Sequence, residues 1–148
     1  MDTTDIIARL PFAAPFLFVD TLEHIDEEKV IGSYTFRADL AFYAGHFKQY
    51  PVTPGVLLTE MMAQTGLACL AIYLTRHEPP EREATCMMTA VNVAFLLPVF
   101  PGEKVTVTAE KIYFRFGKLK CKVSLRNEAH QEVCNGTIEG MLINSAHA

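Results

Sequence analysis

The chain is 148 residues long, half of them hydrophobic and a fifth charged, with a formal net charge of −4 and a pI near 5.7. That length suits one domain with a sizeable core, and that composition excludes a disordered or fibrous protein. The acidic balance, with no basic run interleaved with aromatics, argues against nucleic acid or an anionic membrane as partner.

Met1 to Leu10 has no cationic start followed by an apolar run, so no signal peptide is expected. Asp2 to Leu10 reads instead as a short helix, with Thr3 or Thr4 as its N-cap and Pro11 stopping it. Phe16 to Leu22 is rich in strand formers and Val30 to Phe36 alternates. The polar turn Asp26-Glu27-Glu28-Lys29 joins the two as a hairpin. Arg37 to Thr53 is irregular, and Thr53-Pro54-Gly55 then opens a helix, with a hydroxyl cap followed by a proline where no amide hydrogen is needed.

From Val56 to Leu74 almost every residue is apolar, which fits either a membrane span or a helix buried on all sides. Glu60 in its first turns, the lack of a flanking basic cluster and the strands downstream favour the buried helix. After a polar linker, Arg76 to Arg82, the remainder reads as strand: Thr85 to Val99, Val105 to Ala109, Ile112 to Phe116, Leu119 to Leu125 and Val133 to Ile143. Pro101-Gly102, Gly117-Lys118 and Asn127 to Gln131 supply the turns. A hairpin, one buried helix and about four further strands suit an α+β domain in which an antiparallel sheet wraps a single central helix. One domain over 1–148 is expected, with 1–5 and 144–148 loosely ordered.

Cys69, Cys86, Cys121 and Cys134 form no Cys-x-x-Cys pair, and Cys69, Cys121 and Cys134 fall at apolar positions. They are expected to be reduced core thiols of a cytoplasmic protein. The histidines at 24, 46, 77, 130 and 147 share no ligand spacing, so no metal is expected.

Glu60 is the sharpest chemical signal. A carboxylate on a helix without a polar face is costly to bury unless it is paired or functional, although near a helix start it can equally be solvated and favoured by the dipole. Gln64 lies one turn on and can hydrogen-bond it. His46, between Gly45 and Phe47, is by itself an ordinary loop histidine. Together, a base, a helix N-terminus and an acid within one short segment supply what is needed to remove a proton beside a carbonyl and expel a hydroxyl.

The segment Gly45-His46-Phe47, Pro51, Pro54-Gly55-Val56-Leu57 and Glu60 resembles the signature of the 3-hydroxyacyl-acyl carrier protein dehydratases, including the fourteen-residue offset from His46 to Glu60. Leu10-Pro11 with Pro15 to Asp20, and Pro98 to Glu103, resemble further parts of that family, so the resemblance covers nearly the whole chain. It implies a hot-dog fold and a dehydratase that turns 3-hydroxyacyl thioesters into trans-2-enoyl thioesters, in fatty acid or related polyene synthesis. His46 would be the base at C2, Glu60 would act on the C3 hydroxyl and the Gly55 amide would polarise the thioester carbonyl, with Gln64 in support. It implies no cofactor, a substrate carried on the phosphopantetheine of an acyl carrier protein, and a homodimer whose sites combine His46 of one subunit with the other's Glu60.

The sequence departs from the family at Lys48, where proline is usual, and at Phe12, where histidine is common. Ala94-Phe95-Leu96-Leu97 replaces a commonly basic stretch. Two other readings remain: a hot-dog thioesterase, which has no evident need of His46, and a silent acyl-binding partner of an active homologue. If Leu119, Cys121, Val123 and Leu125 point inward, Lys120, Lys122 and Ser124 point outward. With Lys111, Tyr113 and Arg115 they would form either a basic stripe for an acidic carrier protein or an ordinary solvated face.

Overall fold

A segment with no polar face has to be enclosed, and the layering of this molecule follows from that constraint. The computed structural model describes residues 1–79 and 84–144. The central helix, Gly55–Leu74, is long and apolar enough to cross a membrane, yet most of it is buried inside the fold. Met61, Met62, Leu67, Cys69 and Leu70 share one core cluster with Val105, Val107, Leu119, Leu125 and Ile138 of the sheet.

The sheet has six antiparallel strands in the order β1-β2-β4-β5-β6-β3. These are β1 Thr21–Ile25, β2 Lys29–Thr35, β3 Ala84–Phe95, β4 Lys104–Arg115, β5 Lys118–Arg126 and β6 Glu132–Asn144. One helix held in the curve of one antiparallel sheet is the hot-dog arrangement. The contact is close because Gly66 has no side chain: a Cβ there would stand 2.9 Å from Ala109 Cβ. Around it the helix widens into a π turn over Gln64–Cys69, all six residues of which are buried. Cys69, Cys121 and Cys134 are buried free thiols, and burial pushes Cys121 and Cys134 up to about 12.

Several elements depart from expectation. The N-terminal helix, Thr3–Ala8, is capped by the Asp2 side chain rather than by a threonine, and Ile6 anchors it in the core. The first strand starts only at Thr21, because the backbone of Phe16 and Phe18 is bonded by a side chain of the central helix, described below. The stretches 105–109 and 112–115 are one continuous strand, β4, with a bulge between Lys111 and Tyr113, and Phe116 lies in the turn beyond it. The run from Thr85 leaves the sheet at Phe95, where Leu96 and Leu97 both donate to the Val133 carbonyl. Residues 80–83 of the polar linker and 145–148 at the C-terminus lie outside the described residues.

The register also corrects the proposed basic stripe. Lys111 continues the inward alternation of Val105, Val107 and Ala109, opposite inward-facing Cys121 and with its ammonium 3.6 Å from Glu28, and the bulge after it turns Tyr113 and Arg115 outward, opposite Lys120 and Lys118. Glu139 lies opposite Lys120 on the same outer face.

Strand β6 carries Gly136 at a φ of 152°, where a Cβ would overlap the Asn92 carbonyl and lie 2.8 Å from Val93 Cα. Gly136→Ala must therefore force β3 and β6 apart. A loss of roughly 2–3 kcal/mol is expected in urea unfolding, and a change within about 0.5 kcal/mol would contradict this packing.

Candidate active site

The loop that carries His46 is tied at both ends. Tyr43, buried in the short turn Ala41–Ala44, bonds through its hydroxyl to Thr53 Oγ1 at 2.6 Å. The Thr53 amide donates to the Val99 carbonyl at 2.8 Å. Between these anchors the Val52 amide donates to the His46 carbonyl at 2.9 Å, and the ring closes the circuit, with Nδ1 2.8 Å from the Val52 carbonyl oxygen. A carbonyl only accepts, so Nδ1 donates to it, and Nε2 is the ring nitrogen left to act as a base. The Phe47 ring stacks on the imidazole at 4.1 Å. Nothing in the sequence marks Val52 for this role, because the orienting group is a backbone carbonyl.

Thr53 does not cap the central helix as expected, since its hydroxyl is committed to Tyr43. The N-cap is Pro54, with no side-chain hydrogen bond, and the Leu57 and Leu58 amides both donate to the Pro54 carbonyl. The amides of Gly55 and Val56 precede the first helical bond, so no bond within the helix uses them. Gly55 lies under the Phe95 ring: a Cβ there would come within 3.2 Å of it. Around Gly55, a shallow hollow of about 330 Å³ is lined by Thr53, Leu58, Phe95, Leu96, Leu97 and Pro98.

Glu60, half-buried, opens instead into an apolar cleft of about 230 Å³ between the helix and β3, lined among others by Phe12, Phe16, Leu67, Cys86, Met87 and Met88. Gln64, fully buried, holds the carboxylate: its Nε2 donates to Glu60 Oε2 at 3.1 Å and to the Phe16 carbonyl at 2.9 Å. Gln64 Oε1 accepts from the Phe18 amide at 2.8 Å. One amide side chain thus orients Glu60 and fastens the aromatic strap 16–18 across the cleft. Burial raises the Glu60 pKa above the ordinary carboxylate range, and the bond from Gln64 only partly offsets that.

Within one chain the expected groups are therefore brought together in part. Gln64 meets Glu60, while Gly55 and Glu60 open into different depressions and His46 lines neither of these two. Sequence reasoning missed the strap and the cleft residues Cys86, Met87 and Met88. Their alternation signalled a strand but not what it faced. Among the described residues no group of three His, Cys, Asp or Glu is placed to hold a metal.

A family model for the FabA-like domain matches residues 10–131. The chain belongs to this dehydratase family. It is 35% identical over 118 residues to the 3-hydroxyacyl-[acyl-carrier-protein] dehydratase FabZ of Geotalea uraniireducens, covering 79% of this chain and 80% of that protein. Among solved structures, the dehydratase heterocomplex ApeI:P from Xenorhabdus doucetiae superposes with a TM-score of 0.78 at 15% identity, over 99% of this chain and 94% of that one. The fluoroacetyl-CoA thioesterase FlK superposes with a TM-score of 0.64 at 22% identity, over 81% of this chain and 88% of that one. These two structural likenesses establish the fold, which dehydratases of this family share with thioesterases.

The raised Glu60 pKa has a consequence for stability. A carboxyl whose folded pKa lies above its unfolded value stabilises the fold in its acid form, and that contribution is lost as pH rises through the folded pKa. Glu60→Gln removes the charge and keeps an amide for Gln64. Its melting temperature should therefore exceed that of the parent protein at pH 8 by more than at pH 4. A difference that does not change with pH would contradict the burial of this carboxyl.

Proposed function

We propose that the protein is a 3-hydroxyacyl-thioester dehydratase of the cytoplasm, acting on substrates carried by an acyl carrier protein and working as a homodimer with two shared sites. In this reading the thioester carbonyl accepts from the Gly55 amide, which acidifies the C2 proton by stabilising the developing oxyanion. His46 Nε2 takes that proton. The C2–H electron pair forms the C2=C3 bond, the C3–O bond breaks, and the hydroxyl leaves as water with the proton of Glu60. The raised pKa of Glu60 keeps this acid protonated to a higher pH than an exposed carboxylate. The reaction as written consumes no oxidant, nucleotide or metal.

The observation that carries the shared site is the position of β3. It is the last strand of the sheet, its outer edge has no partner among the described residues, and it exposes Met88, Val91 and Phe95. A two-fold pairing of β3 with its copy would satisfy that edge and cover those side chains. In an antiparallel pair the Phe95 end of one strand lies beside the Cys86–Met88 end of the other. Phe95 borders Gly55, and Cys86 to Met88 border Glu60. The pairing thus draws the two half-sites of different chains together, so that His46 and Gly55 of one subunit serve the same substrate as the partner subunit's Glu60.

Mixed dimers test this directly. His46→Ala should lower the rate by ~10²–10⁴-fold, as loss of a general base does, and Glu60→Gln should be similarly impaired. Unfolded together and refolded in equal amounts, the two inactive proteins should regain roughly a quarter of the parent activity, because each mixed two-fold dimer holds one intact site. A mixture shown by mass to be scrambled, yet no more active than its components, would rule out the shared site.

A further inference from the structure

The tip of the β4–β5 hairpin is built against the interests of the fold. Phe116 sits there at a φ of 52° and Gly117 at 75°. Two consecutive positive φ values make a hairpin turn that favours Asn, Asp or Gly at the first position, and a bulky residue is strained in it. Phe116 gains no burial in return, being 97% exposed. An aromatic that is both strained and solvated contributes to the isolated chain only costs.

Its surroundings are those of a contact surface. The register runs Met87, Met141, Lys118 and Arg115 across β3, β6, β5 and β4, so these four side chains share the outer face in one row ending beside Phe116. Two flexible methionines, two cations and an exposed ring combine adaptable apolar contact with positive charge. Arg115 lies over the Tyr113 ring at 4.5 Å, and the Tyr113 hydroxyl donates to Glu139, which is also 3.6 Å from the Lys118 ammonium. Counting Lys120, opposite Glu139, this corner holds three cations to one acid among the described residues, on a chain whose net charge is −4. Met87 also lines the Glu60 cleft, so the row ends at the rim of that site.

We propose that Phe116, with Arg115, Lys118 and the Met87–Met141 pair, is the docking surface for the acidic protein that delivers the acyl thioester. Phe116 inserts between apolar side chains of that partner, and the cations meet its carboxylates. The inference rests on the function proposed above and adds where the carrier sits.

Two variants and two substrates test it. Phe116→Asn relieves the turn strain, and Arg115→Glu/Lys118→Glu reverses the charge. None of these residues belongs to the catalytic set. The same 3-hydroxyacyl group is offered on an acyl carrier protein and on N-acetylcysteamine, a thiol with no protein surface. For Phe116→Asn the melting temperature should hold or rise, while KM for the carrier-bound substrate rises about tenfold, the effect of losing one aromatic anchor. KM for the small thioester should stay unchanged, and the charge-reversed protein should show the same split, weakening further with salt. An unchanged carrier-bound KM in both variants would overturn the proposal, as would an equal rise for both substrates or a loss of the dimer. Binding of Phe116→Asn and the parent to lipid vesicles that differs when carrier-bound KM does not would assign the knob to a membrane and overturn it too. A parent protein that dehydrates neither substrate fails the catalytic reading instead, and titrating it with the carrier protein alone then decides the docking surface: tight binding lost in both variants supports it, and binding unaffected by them overturns it.

Discussion

The molecule is organised around one electrostatic constraint: a carboxylate has to be kept on a helix that is otherwise apolar and enclosed. Burying a lone carboxylate is costly, and the fold meets that cost with Gln64, a residue of the same helix one turn on. Its amide is fully used, on Glu60, on the Phe16 carbonyl and on the Phe18 amide. Because the same side chain bonds the strap, the aromatic wall of the cleft and the orientation of the acid depend on each other. Phe18 in turn packs on Tyr34 at 5.5 Å, and Tyr34 on Phe36 at 4.8 Å, which fixes the strap to β2 and the hydrophobic core. Glu60 is thereby held in an environment that favours its protonated form, at some expense in stability at neutral pH.

The opposite end of the helix start is left open. Thr53, the natural cap, is turned to Tyr43, and the helix begins with amides that no side chain of the cap satisfies. The imidazole of His46 is similarly committed on one side only, through Nδ1 to Val52. His46 and Glu60, the proposed base and acid, are thus each held through one side-chain atom, while among the described residues the other has no partner. The edge position of β3 extends this pattern: among the described residues the strand has no partner on its outer side, and the proposed dimer would close that edge and the proposed site together.

Much of this was readable from residues. The central helix announced itself by having no polar face, and the first hairpin by Asp26 to Lys29; the turn expected at Gly117-Lys118 falls one residue earlier, at Phe116-Gly117. Glu60 stood out because it broke an apolar run, and Gln64 because it followed at helical spacing. His46 and Gly55 gained meaning only from the composite motif, since a loop histidine and a glycine have no distinct signature. What stayed hidden was decided by tertiary hydrogen bonds. Phe16 to Phe18 has strand-forming side chains, but Gln64 bonds its backbone before a neighbouring strand can. The hydroxyl of Thr53 has two possible partners, and only the fold selects Tyr43. The bulge at Ile112 interrupts alternation for a single residue: Lys111 keeps the inward parity of Val105, Val107 and Ala109, while Tyr113 and Arg115 beyond it turn outward, so the expected stripe loses Lys111.

The hot-dog fold is shared with thioesterases, so the central claim concerns which bond of a 3-hydroxyacyl thioester breaks. The direct measurement is to incubate the purified protein with such a thioester and follow conjugated enoyl absorbance and free thiol release in the same sample. Enoyl thioester should form at a rate that His46→Ala nearly abolishes, with no thiol released above the uncatalysed background. Thiol release without enoyl product, at a rate indifferent to His46, would contradict it.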